Sequence, residues 1–243
     1  MVRVVERSDV AAGVWAITLD RPERRNAVDH DTLLALLDAQ QAVADARSVV
    51  LTGSPPAFCA GADLTGVDEG VFARDLARVL RGFTTLSAPV IAAIDGPALG
   101  AGAQLVSVCD LRVATPESIV GVPAARLGLV IDAWTIDRIR TEFGAALTRG
   151  MLMAADTYTG QRLHEAGVVH RLGGLDEALA WAGYIASLAP LSIGAHKVAL
   201  ESDGSDAAAE RFETLRRDAW SSDDAREGRT AFLEKRRPEF RGH

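Results

Sequence analysis

Two segments of small residues offer the clearest chemistry in this chain. The first, Ala57-Phe58-Cys59-Ala60-Gly61-Ala62-Asp63-Leu64, follows the β-rich run Ser48–Thr52. The second, Asp95-Gly96-Pro97-Ala98-Leu99-Gly100-Ala101-Gly102-Ala103-Gln104, leads from another β-rich run into the apolar stretch Leu105–Val108. Side chains this small let backbone approach a ligand closely, and the N–H groups at a helix start suit an anion that develops during a reaction. The competing readings are a tight turn that needs Gly61 for its backbone angles and close helix–sheet packing in the second segment. Other reactive side chains are less promising. His164 and His170 lie six residues apart with no clustered cysteine or carboxylate, a poor metal set. Cys59 has no base paired with it in sequence and reads as a small buried residue.

The elements that must position these segments follow from hydrophobic periodicity. Val14–Leu19, Ser48–Thr52 and Pro89–Ile94 read as buried strands, and Thr32–Ala46 and Val71–Leu86 as helices. Leu111–Val113 and Ile119–Val122 are further strand candidates, and the chain is then mostly helical with a β-like interruption at Val168–Leu172. Asp132 precedes a helix expected over Trp134–Arg140 and suits its N-cap. The alternation predicts an α/β layered core. From Pro190 onward the helices are highly charged and sparse in core residues, so they must dock on the core or on another subunit.

The 243 residues are 48% hydrophobic and 24% charged, the balance of a globular chain rather than a disordered one. The net charge is −7, and the 26 cations include only two lysines, Lys197 and Lys235. That acidity disfavours non-specific nucleic-acid binding but leaves arginines for local phosphate sites. Two cysteines make no disulfide framework, no apolar run is long enough to span a membrane, and the charged N-terminus lacks a signal-peptide pattern. The expectation is a cytosolic protein.

Taken together, the two small-residue segments resemble the paired signature of the crotonase superfamily, the enoyl-CoA hydratase/isomerase family. Leu19-Asp20-Arg21-Pro22 with Arg25-Asn26-Ala27, Cys109-Asp110-Leu111-Arg112, Gly160–Gly167 with Val168-Val169, and Ala231–Arg236 extend the resemblance along nearly the whole chain. It implies a crotonase-like spiral core of repeated ββα units over residues 1–188 and a C-terminal helical trimerisation region over 189–243. It also implies a homotrimer or hexamer and an acyl-CoA thioester as ligand, with no resident cofactor or metal.

By motif position, the N–H groups of Ala62 and Ala101 are the oxyanion-hole donors that would hold the thioester carbonyl. Such a donor is worth roughly 3–4 kcal/mol in the transition state. The family's hydratases add two glutamates that position and activate water; here those positions hold Gln104 and Ala124. Glutamine does not exchange a proton usefully near neutrality and alanine has nothing to exchange. The resemblance therefore implies an acyl-CoA-binding member, deficient as a hydratase, with a carrier or binding role in fatty acid metabolism. The alternatives are an enoyl-CoA or dienoyl-CoA isomerase, in which Asp132 would be the acid/base at the place where dienoyl-CoA isomerases carry an aspartate, and a weak enoyl-CoA hydratase. The CoA would lie over Ala60, Gly61, Asp63, Leu64 and Ala27, with Arg21, Arg24 and Arg25 near its phosphates. Trp134 either lines the acyl pocket or is core. Phe232, Lys235 and Arg236 of a neighbouring subunit would help cover the CoA.

Overall fold

In the computed structural model, which describes residues 1–63, 65 and 69–243, uninterrupted apolar runs become buried parallel strands. The first half runs β1 (Val2–Glu6), β2 (Val14–Leu19), α1 (His30–Ala42), β3 (Ser48–Gly53), α2 (Glu69–Thr85), β4 (Val90–Ile94), β5 (Pro97–Leu99) and α3 (Ala101–Ser107). The second half runs β6 (Leu111–Ala114), β7 (Ile119–Gly121), α4 (Ala133–Met153), β8 (Thr157–Thr159), α5 (Gly160–Glu165), β9 (Arg171–Leu172), α6 (Leu175–Ala186), α7 (Pro190–Leu200), α8 (Asp206–Ser221) and α9 (Asp223–Glu234). Among the described residues, a six-stranded sheet has the order β1-β2-β3-β4-β6-β9 and a three-stranded sheet the order β5-β7-β8. With α/β layers, a small second sheet and a helical C-terminus, this is the crotonase fold.

Because side chains alternate across a strand, the central strands feed two cores. Val49 and Leu51 of β3 face Leu33 and Leu36 of α1 and Val79, Leu80 and Phe83 of α2. Val50 and Ile91 face the other way, onto Ala178, Leu179 and Ala182 of α6. β1 pairs antiparallel with β2 at the sheet edge, where Arg3 and Glu6 fit an exposed strand; its short, charged sequence gives little strand signal. The helix expected over Trp134–Arg140 continues to Met153 across a break at Gly144, whose φ of 77° no helix allows. The interruption at Val168–Leu172 is a strand only at Arg171 and Leu172.

The division at residue 188 falls between α6 and α7, yet α7 is anchored to the core. Lys197, 5% exposed, ion-pairs with Asp110 at 2.8 Å and donates to the carbonyls of Phe83 and Ala88, both at 3.1 Å. Asp110 in turn accepts from the Val90 N–H at the start of β4. In contrast, α8 buries no residue, and Trp220, Phe232 and Leu233 are 66%, 82% and 80% exposed. No single helix among the described residues is long and apolar enough to cross a membrane. Lys197→Ala would strand Asp110 and two carbonyls; urea unfolding is expected to show a loss of about 3–5 kcal/mol.

Candidate functional site

The site is built where β3 and β4 end. After β3 the chain turns through Cys59, which pairs with Ala98 of β5: Cys59 N–H donates to Pro97 O at 3.0 Å and Leu99 N–H to Cys59 O at 2.9 Å. This ladder lays the two small-residue segments against each other. A Cβ on Gly61 would stand 3.2 Å from the Leu99 carbonyl oxygen, one on Gly100 3.7 Å from Gly61 Cα, and one on Gly102 only 2.3 Å from the Cys59 carbonyl oxygen. Gly61 and Gly100 also take positive φ, 121° and 54°, so the backbone angle demands glycine at both, while the lack of room demands it at Gly102.

The residues that follow these two glycines present free donors. Ala62 bridges Val28 in parallel, and that bridge uses the Gly61 carbonyl and the Asp63 N–H. The N–H of Ala62 therefore points away from Val28. Ala101 opens α3, where the first-turn N–H groups lack helical acceptors. Neither N–H has a hydrogen-bond acceptor among the described residues. Two rigid, neutral donors on adjoining turns are suited to an oxygen that gains negative charge.

Gln104, one turn into α3, is 6% exposed, and its side-chain amide has no hydrogen-bond partner among the described residues. Ala124 lies in a 3-10 turn, Pro123–Leu127, and packs on the core. Asp132 is the N-cap of α4: one oxygen accepts from the Thr135 N–H at 3.1 Å and the other from the Thr135 hydroxyl at 2.6 Å. With both oxygens engaged in capping, the carboxylate has the cap role, and the acid/base reading gains no geometric support. Trp134 is partly buried and packs against the core cluster that includes Ala101, with the Arg81 guanidinium 5.0 Å above its ring. The Arg81 contact escaped the sequence reading, although Arg74, Arg78 and Arg81 fall at helical spacing.

The basic loop divides its arginines. Arg21, expected near phosphates, is instead spent on protein: it pairs with Asp29 at 2.8 Å and Asp63 at 3.3 Å and donates to Ala27 O. Its place in the sequence gave no sign of these partners, which come from both sides of the turn. Arg24 and Arg25 are exposed, with no side-chain partner among the described residues. Their loop is fixed by buried Asn26, whose amide donates to Ser54 O and Ala57 O, and by the Ala60 N–H, which donates to Arg25 O. Asp63 is held below the ordinary carboxylate value, chiefly by hydrogen bonds from Thr65, with Arg24 and Arg21 adding attraction. Leu64 lies outside the described residues. In the C-terminal helices, Phe232 and Lys235 are exposed, while Arg236 is engaged by Glu227 and Glu234.

The remaining candidates are structural. His164 Nδ1 pairs with Val169 O, and His170 Nδ1 accepts from the Arg112 N–H. No group of three His, Cys, Asp or Glu is gathered for a metal among the described residues. Burial pushes the Cys59 and Cys109 thiols up to about 12.

A model of the enoyl-CoA hydratase/isomerase family matches residues 9–243. The chain belongs to this family. It is 41% identical over 239 residues to "Probable enoyl-CoA hydratase echA6" of Mycobacterium bovis, covering 96% of this chain and 97% of the relative. It is 32% identical over 248 residues to the 2,3-dehydroadipyl-CoA hydratase of Escherichia coli, covering 94% and 95%. The crystal structure of a putative enoyl-CoA hydratase/isomerase from Mycobacterium abscessus superposes with a TM-score of 0.87 at 28% identity, with full coverage of both chains.

Two outcomes are expected of this family member. Gly102→Ala drives a methyl into the Cys59 carbonyl and should destabilise the protein by about 1–3 kcal/mol, measured by thermal melting. The two thiols have folded values above their ordinary 9.0. Their contribution to stability is therefore complete below about pH 9 and is lost as pH rises toward 12. Iodoacetamide at pH 8 is expected to leave both thiols unmodified in the native protein and to alkylate both in urea, read by mass spectrometry.

Proposed function

We propose that this family member binds an acyl-CoA by its thioester carbonyl and does not hydrate it, acting as an acyl-CoA-binding or carrier protein in fatty acid metabolism. The carbonyl oxygen would accept from the N–H groups of Ala62 and Ala101, with Arg24 and Arg25 available to the CoA phosphates. What supports this reading is the pairing of the Ala62 and Ala101 N–H groups, which have no acceptor among the described residues, with Gln104 and Ala124 at the two positions where the family resemblance puts the hydratase carboxylates. Two such donors can bind and polarise a thioester. Addition of water also requires a base to take its proton and an acid to protonate the α-carbon, and each missing group typically costs about 10²–10⁴ in rate.

The named relatives support the ligand class, since the Escherichia coli protein is a hydratase of a CoA thioester. The exposed Trp220, Phe232 and Leu233 support assembly into a homotrimer or hexamer, in which Phe232 and Lys235 of a neighbour would cover the CoA. Asp132 enters as the cap of α4 rather than as an isomerase base.

Calorimetry with saturated and 2-enoyl-CoAs of increasing length, paired with a hydratase assay, tests the reading. Binding without hydration is expected, and the double substitution Gln104→Glu, Ala124→Glu should raise hydration by at least about 10²-fold. Brisk hydration by the wild-type protein that disappears in Gln104→Ala would overturn the proposal, as would failure to bind any acyl-CoA.

A further inference from the structure

The outward face of α2 is basic in a chain whose net charge is −7. Between Gly70 and Thr85 the charged residues are Arg74, Asp75, Arg78 and Arg81, and the acid is the buried one. Asp75 Oδ1 accepts from Arg74 Nε at 3.2 Å and Arg78 Nη1 at 3.3 Å, while His30 Nδ1 stands 3.0 Å from Oδ2. The buried carboxylate thus holds the two guanidiniums by one edge. Their remaining N–H groups have no acceptor among the described residues. Asp31 and Asp38 of α1 form no ion pair with this row, also among the described residues.

The three arginines line a groove of about 500 Å³ between α1 and α2, together with Leu37, Gln40 and Ala77. At 1.5 Å per residue, positions 74, 78 and 81 span about 10 Å along one helix face. A single phosphate draws arginines to one point; these are laid out in a line, with small Ala77 between them. A helix carrying acidic residues at matching spacing complements that line.

The row also ends beside α4, a neighbour of the helix that Ala101 opens. Arg81 lies over Trp134 at the start of α4, and both α2 and α4 pack on α3, the helix that carries Ala101 and Gln104. We propose that this face docks an acidic helix of a carrier protein whose acyl group rides on a pantetheine arm, so that the chain binds acyl thioesters carried on a protein as well as those carried on CoA. The inference rests on the reading of the site as a thioester cradle. The reacting end of an acyl-pantetheine is the same in both carriers; only the anionic handle differs, a nucleotide in one case and an acidic helix in the other.

The test measures, by calorimetry on the full-length protein, the Kd of an acyl-loaded acyl carrier protein and of the same acyl group on CoA. Arg74→Gln with Arg78→Gln is expected to weaken the carrier protein at least tenfold and acyl-CoA less than twofold, with the assembly size unchanged. Because Asp75 loses partners in that double variant, Arg74→Lys with Arg78→Lys is the control, and it should restore most of the carrier affinity. Equal weakening of both ligands would overturn the proposal, as would a change in assembly size, which would make the face a contact between copies of this chain. Wild-type protein that binds acyl-CoA but not the loaded carrier would defeat the docking proposal alone. Wild-type protein that binds neither would remove the thioester reading beneath it.

Discussion

The approach of Gly102 to the Cys59 carbonyl, which leaves no space for a Cβ, is the constraint on which the rest depends. The Cys59–Ala98 bridge can form only if α3 starts within backbone distance of the first turn, and any side chain at position 102 would hold them apart. Once they meet, Gly61 and Gly100 supply the positive-φ backbone angles that precede Ala62 and Ala101, whose N–H groups have no acceptor among the described residues. β3 and β4 deliver the two turns to the same edge because they are parallel neighbours in the sheet.

Charged residues frame this contact from behind. Arg112 is buried and donates to the carbonyls of Val168, Val106 and Cys109 while pairing with Glu142 of α4 at 2.5 Å. Glu142 meets Arg138, which holds both oxygens of Glu201 at the end of α7. Together with Lys197 and Asp110, these groups tie α4 and α7 to the strand ends around α3. Burying charge costs desolvation that the ion pairs only partly offset, so the network contributes fixed geometry more than net stability.

The strands and helices of the first half were legible because buried parallel strands leave continuous apolar runs and helices leave a helical period. The edge strand β1 and the three-residue strands β5 and β8 were not, since their pairing depends on neighbours distant in sequence. In the site, the glycines could be read directly from residue type, as could the uncharged side chains of Gln104 and Ala124. The fates of individual arginines could not: Arg21, Arg24 and Arg25 look alike in sequence, and only the folded loop separates the one that binds Asp29 and Asp63 from the two that face solvent. Asp132 is a similar case, because a carboxylate before a helix carries the signal of a cap and of an acid at once, and the fold shows the cap in its two contacts with Thr135.

A site made of backbone donors is separable from side-chain chemistry in a way that a catalytic triad is not. Substitution at position 62 or 101 leaves the N–H group in place, and substitution at 104 or 124 leaves the glycine contacts that aim it. Selection on this scaffold can therefore remove proton transfer without loosening the grip on a carbonyl oxygen. On the proposed reading, an amide at position 104 and a methyl at 124 would also exert no charge repulsion on a polarised thioester. Gln104, 6% exposed, carries two N–H donors on an amide that has no hydrogen-bond partner among the described residues. On the proposed reading, a thioester bound here would meet a neutral amide donor at position 104 in place of a group able to exchange a proton with it.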